Sequence, residues 1–534
     1  MPAGGSLDRA PRWRLPAIVA LALVCRTISW LRNGAMMNDG PTFLELAQTY
    51  RAGEWVEALR HAFHPLYPMA IAGARSFFAD WENAAAAVSI LFGAIAVVAL
   101  HAFVRSAFGG TTAWVAALLL AVHPYAVPFS GDVQSEGPYM AAFLGAVALG
   151  WRALVSRRPG DAILAGALAG LAYLVRPEGL GVVGVVGAMV GVGVLRRDWP
   201  IARAVGFGAA LALGVALVAG PYIAWVSYDV GSPTLTRKKS ASAMIRLETQ
   251  PTGHYEPSRE TLATDAQGRR VEGGARGRTL IATERSSRSP AQKAGELIET
   301  IKHAFRLDQL ILVLLGLFVA RGSPGPRGWY VGSLTLLYGF VLIALVASAG
   351  YVSMRHVLPP MLPLLAYAAL GVAAVGRGLA AIPSLLGGRP LTARAGFALA
   401  LSLVVLAGAI MATRPRRENR VAVRAVAEWF ATQPMKPDQV SAAKLRDAYY
   451  AGAGWQPLPA ETEDLRWMLP LRAGGIRYVI VDERHARRYP GLEEQGSPSA
   501  RLLHRHEANG RWAGVYELQD PAAPGRRGEP GEGR

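Results

Sequence analysis

Side chains able to act on a polar substrate recur where long apolar runs give way to short polar ones. Asp39 follows the first such run, in NDGPTFLELAQTYRAGEW (38–55). Asp132 and Glu136 share SGDVQSEGPY (130–139), where a helical turn would put both carboxylates on one face. Arg176 and Glu178 lie in YLVRPEGL (173–180), Arg355 and His356 in YVSMRHVLPPMLP (351–363), and Lys238 and Lys239 in TRKKSASAMIR (236–246). Carboxylates can deprotonate an incoming hydroxyl or amine. Guanidinium and ammonium groups can neutralise a departing phosphate. Tyr67, in FHPLYP (63–68), could line the same site.

Each of these residues also has a plainer use. Asn38 or Asp39 would cap a helix with Pro41 in its first turn. Phe43, Leu46, Ala47 and Tyr50, then Trp55, Leu59 and Phe63, form an apolar stripe that predicts one or two helices lying in the membrane interface. Glu136 would suit the start of a helix, where the macrodipole favours an anion. Arg176 could pair with Glu178, and Arg26, inside the first apolar run, could snorkel to the surface. Glu57, His61 and His64 fall on one helical face, a spacing open to a metal but equally to packing and hydrogen bonding. Local sequence leaves cap and reactive acid both open for Asp39.

The elements that must position these groups follow from composition. Of 534 residues, 52% are apolar and 18% charged, with mean hydropathy +0.24, which predicts an α-helical polytopic membrane protein. About eleven spans are expected, near 15–31, 84–104, 112–128, 138–155, 162–176, 178–195, 204–226, 307–321, 329–348, 356–376 and 395–412. Pro177 and Gly179 favour a turn between the fifth and sixth over one long helix. The formal charge of +18 sits mostly in short connections and one long polar loop, so positive-inside topology accounts for much of it and no nucleic-acid partner is implied. The single cysteine, Cys25, excludes an intrachain disulfide. The first apolar run has no small-residue cleavage pattern after it and reads as a retained helix.

Arg9, Arg12 and Arg14 place the amino terminus in the cytoplasm, and an odd span count then puts 413–534 outside, together with 32–83, 129–137, 227–306 and 349–355. The expected domains are a membrane domain over 1–412, with extracytoplasmic loops 32–83 and 227–306, and a small extracytoplasmic α/β domain over 413–518. In the latter, 437–443, 474–485 and 511–518 read as strands and 421–432 as a helix. The Pro-, Gly- and charge-rich tail 519–534 reads as disordered.

With these residues in order, the chain resembles the GT-C glycosyltransferases, in the branch of protein O-mannosyltransferases and lipid A aminoarabinose transferases. The resemblance rests on Asp39 with FLELAQTYRAGEW, on FHPLYPMAIAG (63–73), SEGPY (135–139), YLVRPEGL and RHVLPPMLPLLAYAALG (355–371), and covers most of 15–412. It implies Asp39 as acid/base, a sugar donor on polyprenyl phosphate, and inversion at the anomeric carbon in one displacement. Glu136 would orient sugar or acceptor; Tyr67, Asp132, Arg176, Glu178, Lys238, Lys239, Arg355 and His356 would bind substrate, the cations at the phosphate. The acceptor would be protein, lipid or polysaccharide, the setting a bacterial plasma membrane. No cofactor is required, with a divalent ion on Asp39 and Glu136 or Asp132 as a variant. Two departures stand out: Gly40 occupies the place where many relatives carry a second acid, and the second motif reads SEG where SEP is commoner. The competing classes are a transporter or flippase of polyprenyl-linked sugars, which would bury its polar groups near the bilayer midplane, and a receptor or scaffold using 413–534.

Overall fold

The computed structural model describes residues 13–237, 289–321, 325–349, 352–385, 389, 391–435, 438–459, 464–492 and 495–519. The chain divides into two compact units: it passes into the second at Asn33–Pro41, returns to the first at Thr42, and leaves it again after Pro415.

The first unit is helical. Its elements are α1 (Arg14–Leu31), α2 (Gly40–Arg51), whose first two residues belong to the second unit, α3 (Trp55–Leu59), α4 (Leu66–Ala74), α5 (Trp81–Phe108), α6 (Gly110–Ala121), α7 (Ala126–Ser130), α8 (Glu136–Ser156) and α9 (Pro159–Val175). A 3-10 turn, Pro177–Leu180, leads to α10 (Gly181–Leu195) and α11 (Ile201–Val230). There follow α12 (Pro290–Phe305), α13 (Leu307–Val319), α14 (Gly325–Ala349), α15 (Met354–Met361), α16 (Leu365–Leu385) and α17 (Ala393–Ala412).

Among the described residues, eight helices are long and apolar enough to cross a membrane: α1, α5, α8, α10 with its 3-10 turn, α11, α14, the α15–α16 run and α17. The other three expected spans appear as the shorter apolar helices α6, α9 and α13. The span expected at 112–128 is cut at Ala121 because His123 Nδ1 accepts the N–H groups of Tyr125 and Ala126, 3.2 and 3.1 Å away, and Pro124 offers none. At 12 residues α6 reaches only about 18 Å at ~1.5 Å per residue. The span expected at 356–376 is longer and is interrupted by a 3-10 turn at Leu362–Leu364, which contains Pro363 and follows Pro359 and Pro360. The turn expected at Pro177 and Gly179 is present.

Inside the unit α5 packs against α8, α8 against α9, and α9 against α11. Phe43, Leu46, Ala47 and Tyr50 of the predicted stripe are all buried; the stripe forms two short helices, α2 and α3, in line with the one or two expected, and α4 follows it. Phe43 stacks on Phe63 at 4.8 Å and meets Tyr67 edge-on at 4.9 Å. Helix α12 lies in what sequence suggested was loop; Ser289 and Gln292 close a capping box at its start.

The second unit is α/β. Helix α18 (Val421–Ala431), β1 (Gln439–Ala442), α19 (Leu445–Tyr450), β2 (Gly454–Pro457), α20 (Met468–Ala473), β3 (Tyr478–Asp482), α21 (Glu483–Ala486), β4 (Ala500–Ala508) and β5 (Arg511–Leu518) build one sheet of order β2-β1-β3-β5-β4. The β1 pairings are parallel; β3–β5 and β5–β4 are antiparallel. Val423, Val426, Ala427 and Phe430 give α18 its buried face. Strands β2 and β4 were not foreseen, although Asn509-Gly510, both at positive φ, is a two-residue hairpin signal.

Candidate functional site

Helix α8 begins at Glu136, so the carboxylate stands in its first turn, where peptide dipoles favour a negative charge. Glu136 is buried, 1% exposed. A buried carboxylate needs a counter-charge, and Arg176 supplies it. Helix α9 ends at Val175, and Arg176 takes extended backbone just before the Pro177 turn. Arg176 Nη2 donates to Glu136 Oε1, and Nε donates to Ser135 Oγ at 3.3 Å. The guanidinium also lies 5.7 Å from the Tyr139 ring centroid. The pairing with Glu178 allowed by sequence is not made: the two carboxylates compete for one guanidinium, and Glu136 is the more deeply buried.

One face of Arg176 opens into a groove lined by Tyr139, Arg176, Glu178, Tyr338, Val341, Leu342, Leu345, His356 and Pro359. Tyr338, Val341, Leu342 and Leu345 form one stripe of α14 at helical spacing. The groove has a polar end and an aliphatic wall. Tyr338 Oη donates to Glu178 O at 2.8 Å, and Glu178 Oε2 is buried without a hydrogen-bond partner among the described residues. His356 closes the capping box at the start of α15; its Nδ1 accepts from Ser353 N at 3.2 Å, so the neutral ring carries its proton on Nε2.

Behind Glu136, a hydrogen-bond chain fixes the approach to α8. Tyr67, wholly buried in α4, donates to Ser89 Oγ at 2.9 Å, and Ser89 Oγ donates to Gln134 O at 2.7 Å. Burial pushes the Tyr67 hydroxyl well above its ordinary range, and the carboxylates of Asp132 and Glu136 push the same way, so it stays protonated. Gly137 lets α8 lie on α5, since a Cβ there would stand 2.3 Å from Ser89 O. Asp132 is 1% exposed, and its Oδ1 accepts from Val133 N at 2.7 Å. Residues 131–135 are not helical, so the expected shared face of Asp132 and Glu136 does not form; local side-chain bonding of Asp132 competes with the helix.

The structure therefore brings Arg176, Glu178 and His356 to the groove, with Glu136 behind them as the partner of Arg176 and not itself a lining residue, and adds Tyr139 and Tyr338, which sequence reasoning missed; a tyrosine in an apolar span was the only signal. Tyr67 and Asp132 are not among the groove's lining residues, and neither is Arg355, the half-buried neighbour of His356. Lys238 and Lys239 lie outside the described residues. Arg26 does not snorkel: it is wholly buried, donating to Ser130 Oγ at 2.8 Å, Ala22 O at 3.1 Å and Ala121 O at 3.3 Å, where it meets the open carbonyl end of α6. His61 Nδ1 accepts from Phe63 N at 3.0 Å, and His64 Nε2 pairs with Thr236 Oγ1 at 3.0 Å. Among the described residues no three His, Cys, Asp or Glu side chains converge as metal ligands.

Asp39 belongs to the second unit. It is half-buried, sits directly before α2, and lies in the turn closed by Gly40 N donating to Met37 O at 2.9 Å.

The profile of the dolichyl-phosphate-mannose-protein mannosyltransferase family matches residues 61–225. No curated protein sequence matches. Among solved structures, ArnT from Cupriavidus metallidurans bound to undecaprenyl phosphate is similar at 13% identity and TM-score 0.54, over 97% of this chain and 100% of that one. The same protein in its apo state gives 13% and 0.52 over 94% and 97%. The Archaeoglobus fulgidus oligosaccharyltransferase in complex with Zn and sulfate gives 13% and 0.51, over 90% of this chain and 70% of that one. At these identities the likeness is one of fold, and the fold is the GT-C architecture.

Proposed function

We propose that this GT-C chain is an integral membrane glycosyltransferase that moves a sugar from polyprenyl phosphate to a polar acceptor. The observation that carries the reading is the groove: an aliphatic wall from α14 and Pro359 meets a polar end of Arg176, His356, Tyr139 and Tyr338. An aliphatic wall suits the chemistry of a prenyl chain, and donors at the polar end suit its phosphate. Most of the polar lining comes from helix ends, the first turns of α8 and α15 and the turn after α9. That favours chemistry at a membrane surface over carriage across it.

In the proposed reaction an acceptor hydroxyl or amine attacks the anomeric carbon as the bond from that carbon to the phosphate oxygen breaks. The acceptor proton passes to the Asp39 carboxylate, and the electron pair of the broken bond leaves on the phosphate. One displacement inverts the anomeric centre. Arg176 offers N–H groups to the charge that builds on phosphate, and His356 can donate from Nε2. Glu136 holds Arg176 in place and, itself buried behind the groove, orients the sugar or acceptor through that guanidinium. The profile match and the undecaprenyl phosphate of the Cupriavidus protein support a lipid-phosphate donor. The basic connections support a cytoplasmic amino terminus and an extracytoplasmic second unit, and the likeness to the Cupriavidus protein supports a bacterial plasma membrane as the setting.

The test is transfer by the purified full-length protein from labelled polyprenyl-phosphate sugars to candidate acceptors, with Asp39→Asn alongside. Loss of about 10²-fold or more in kcat is expected if Asp39 is the base. A folded Asp39→Asn protein that transfers normally would sink the assignment.

A further inference from the structure

Resting on Asp39 as the proton acceptor, we infer that the carboxy-terminal α/β domain positions this acid, with Arg417, Arg446 and Tyr450 as its positioning residues. The segment before Asp39 lacks regular structure, yet its backbone polar groups are taken up one after another by residues about 400 positions later. Gly34 N donates to Arg416 O at 3.0 Å. Ala35 O accepts from Arg417 Nε at 2.7 Å. Met36 N donates to Tyr450 Oη at 3.0 Å, and Met36 O accepts from Arg446 Nη1 at 2.9 Å.

Ala35 and Met36 are 2% and 0% exposed, so these bonds are shielded from water. A Cβ on Gly34 would stand 2.4 Å from Arg417 O, which leaves no room for any larger residue. Arg417 itself holds a left-handed φ of 55°, a strained conformation for a non-glycine residue that the surrounding contacts must maintain. Arg446 is 6% exposed beside the buried Asp447, and Arg424 lies 4.5 Å from the Tyr450 ring centroid, so the holding groups are themselves held. The held stretch runs on to Met37, whose Sδ accepts from Arg417 Nη1 at 2.7 Å, and the Met37–Gly40 turn then presents Asp39. A general base must stand within hydrogen-bond reach of its proton, and displacements near 1 Å cost about 10²-fold. The clamp fixes, within the second unit, the segment that carries the acid.

The experiment uses the full-length protein and the donor–acceptor pair on which it is active. Tyr450→Phe and Arg446→Met are compared with Arg446→Lys and with Asp39→Asn for kcat, donor KM and undecaprenyl phosphate binding. Amide hydrogen exchange is followed over residues 33–41. The clamp predicts a kcat loss of about 10–10² fold in Tyr450→Phe and Arg446→Met, unchanged donor KM and lipid binding, and partial recovery in Arg446→Lys. Exchange over 33–41 should quicken while β3 and β5 keep their protection. Normal kcat or unchanged exchange in both variants, with Asp39→Asn inactive, overturns the clamp alone. Full activity of Asp39→Asn overturns the clamp together with the acid it serves.

Discussion

Arg176 and Glu136 depend on each other, and that dependence can be measured. Their side chains are 13% and 1% exposed, so removing the cation strands a buried carboxylate. Arg176→Met should lower stability by about 3–5 kcal/mol. Adding Glu136→Gln should restore most of it, because the pair is then neutral, yet transfer should stay lost. Thermal melting of the two variants in detergent, beside transfer assays, checks both halves. In the second unit Asp482 gives a pH-dependent counterpart. Burial alone would raise its pKa, but hydrogen bonds from the ring and backbone N–H of His485, with the charges of His485 and Arg420, bring it down to about 2. A depressed carboxylate stabilises above its unfolded pKa of about 3.9, and that contribution disappears as pH falls through the folded value. Protection of the β3 amides should therefore fall between about pH 4 and pH 2 in the natural protein. Asp482→Asn should start about 2 kcal/mol lower and lose that dependence.

Among the elements, α8 meets α5 through a contact with no slack. Gly137→Ala would drive a methyl group into Ser89 O, and the first turn of α8, with Glu136, must shift. Transfer should drop about tenfold or more while donor binding, read as undecaprenyl phosphate affinity, changes less. Equal losses in both would count against α8 as the placing element. The helices of this unit were legible because their apolar runs are long, and the Pro177–Leu180 turn was legible because proline and glycine punctuate it. What sequence could not supply was partnership. Arg176 with Glu136 and Tyr67 with Ser89 join positions 40 and 22 residues apart, and no local pattern announces such pairs. Helix α6 was overextended because His123 looks like one more polar residue until its ring is seen accepting two backbone N–H groups. Strand β4 was missed although Asn509-Gly510 marked its hairpin, since His504, Arg505, His506 and Glu507 mask the alternation.

For the whole molecule, the proposed sidedness makes a prediction that does not depend on chemistry. Glu54, Arg158 and Arg484 are exposed, and Cys25 is buried. In a Cys25→Ala background, single cysteines at 54 and 484 should react with an impermeant thiol reagent added to intact cells, and one at 158 only after lysis. Labelling of 54 and 158 from the same side would reject the arrangement of spans. The second unit also extends the reading of Asp39 beyond its own neighbourhood. Sequence left that acid between helix cap and reactive group; its place directly before α2 suits the first, and the clamp on Gly34–Met36 suits the second.

The bond from Arg446 to Met36 joins residues 410 apart, and this bears on how the protein is made. A ribosome adding ~5–20 residues each second needs roughly 20–80 s to travel from one to the other. Throughout that interval the stretch ahead of Asp39 is already synthesised while its holders do not yet exist. A nascent chain, or one ended early by a nonsense codon, would have its helices in the bilayer but no acid set for transfer. On the proposed function, completion of synthesis would act as the switch that arms the transfer reaction.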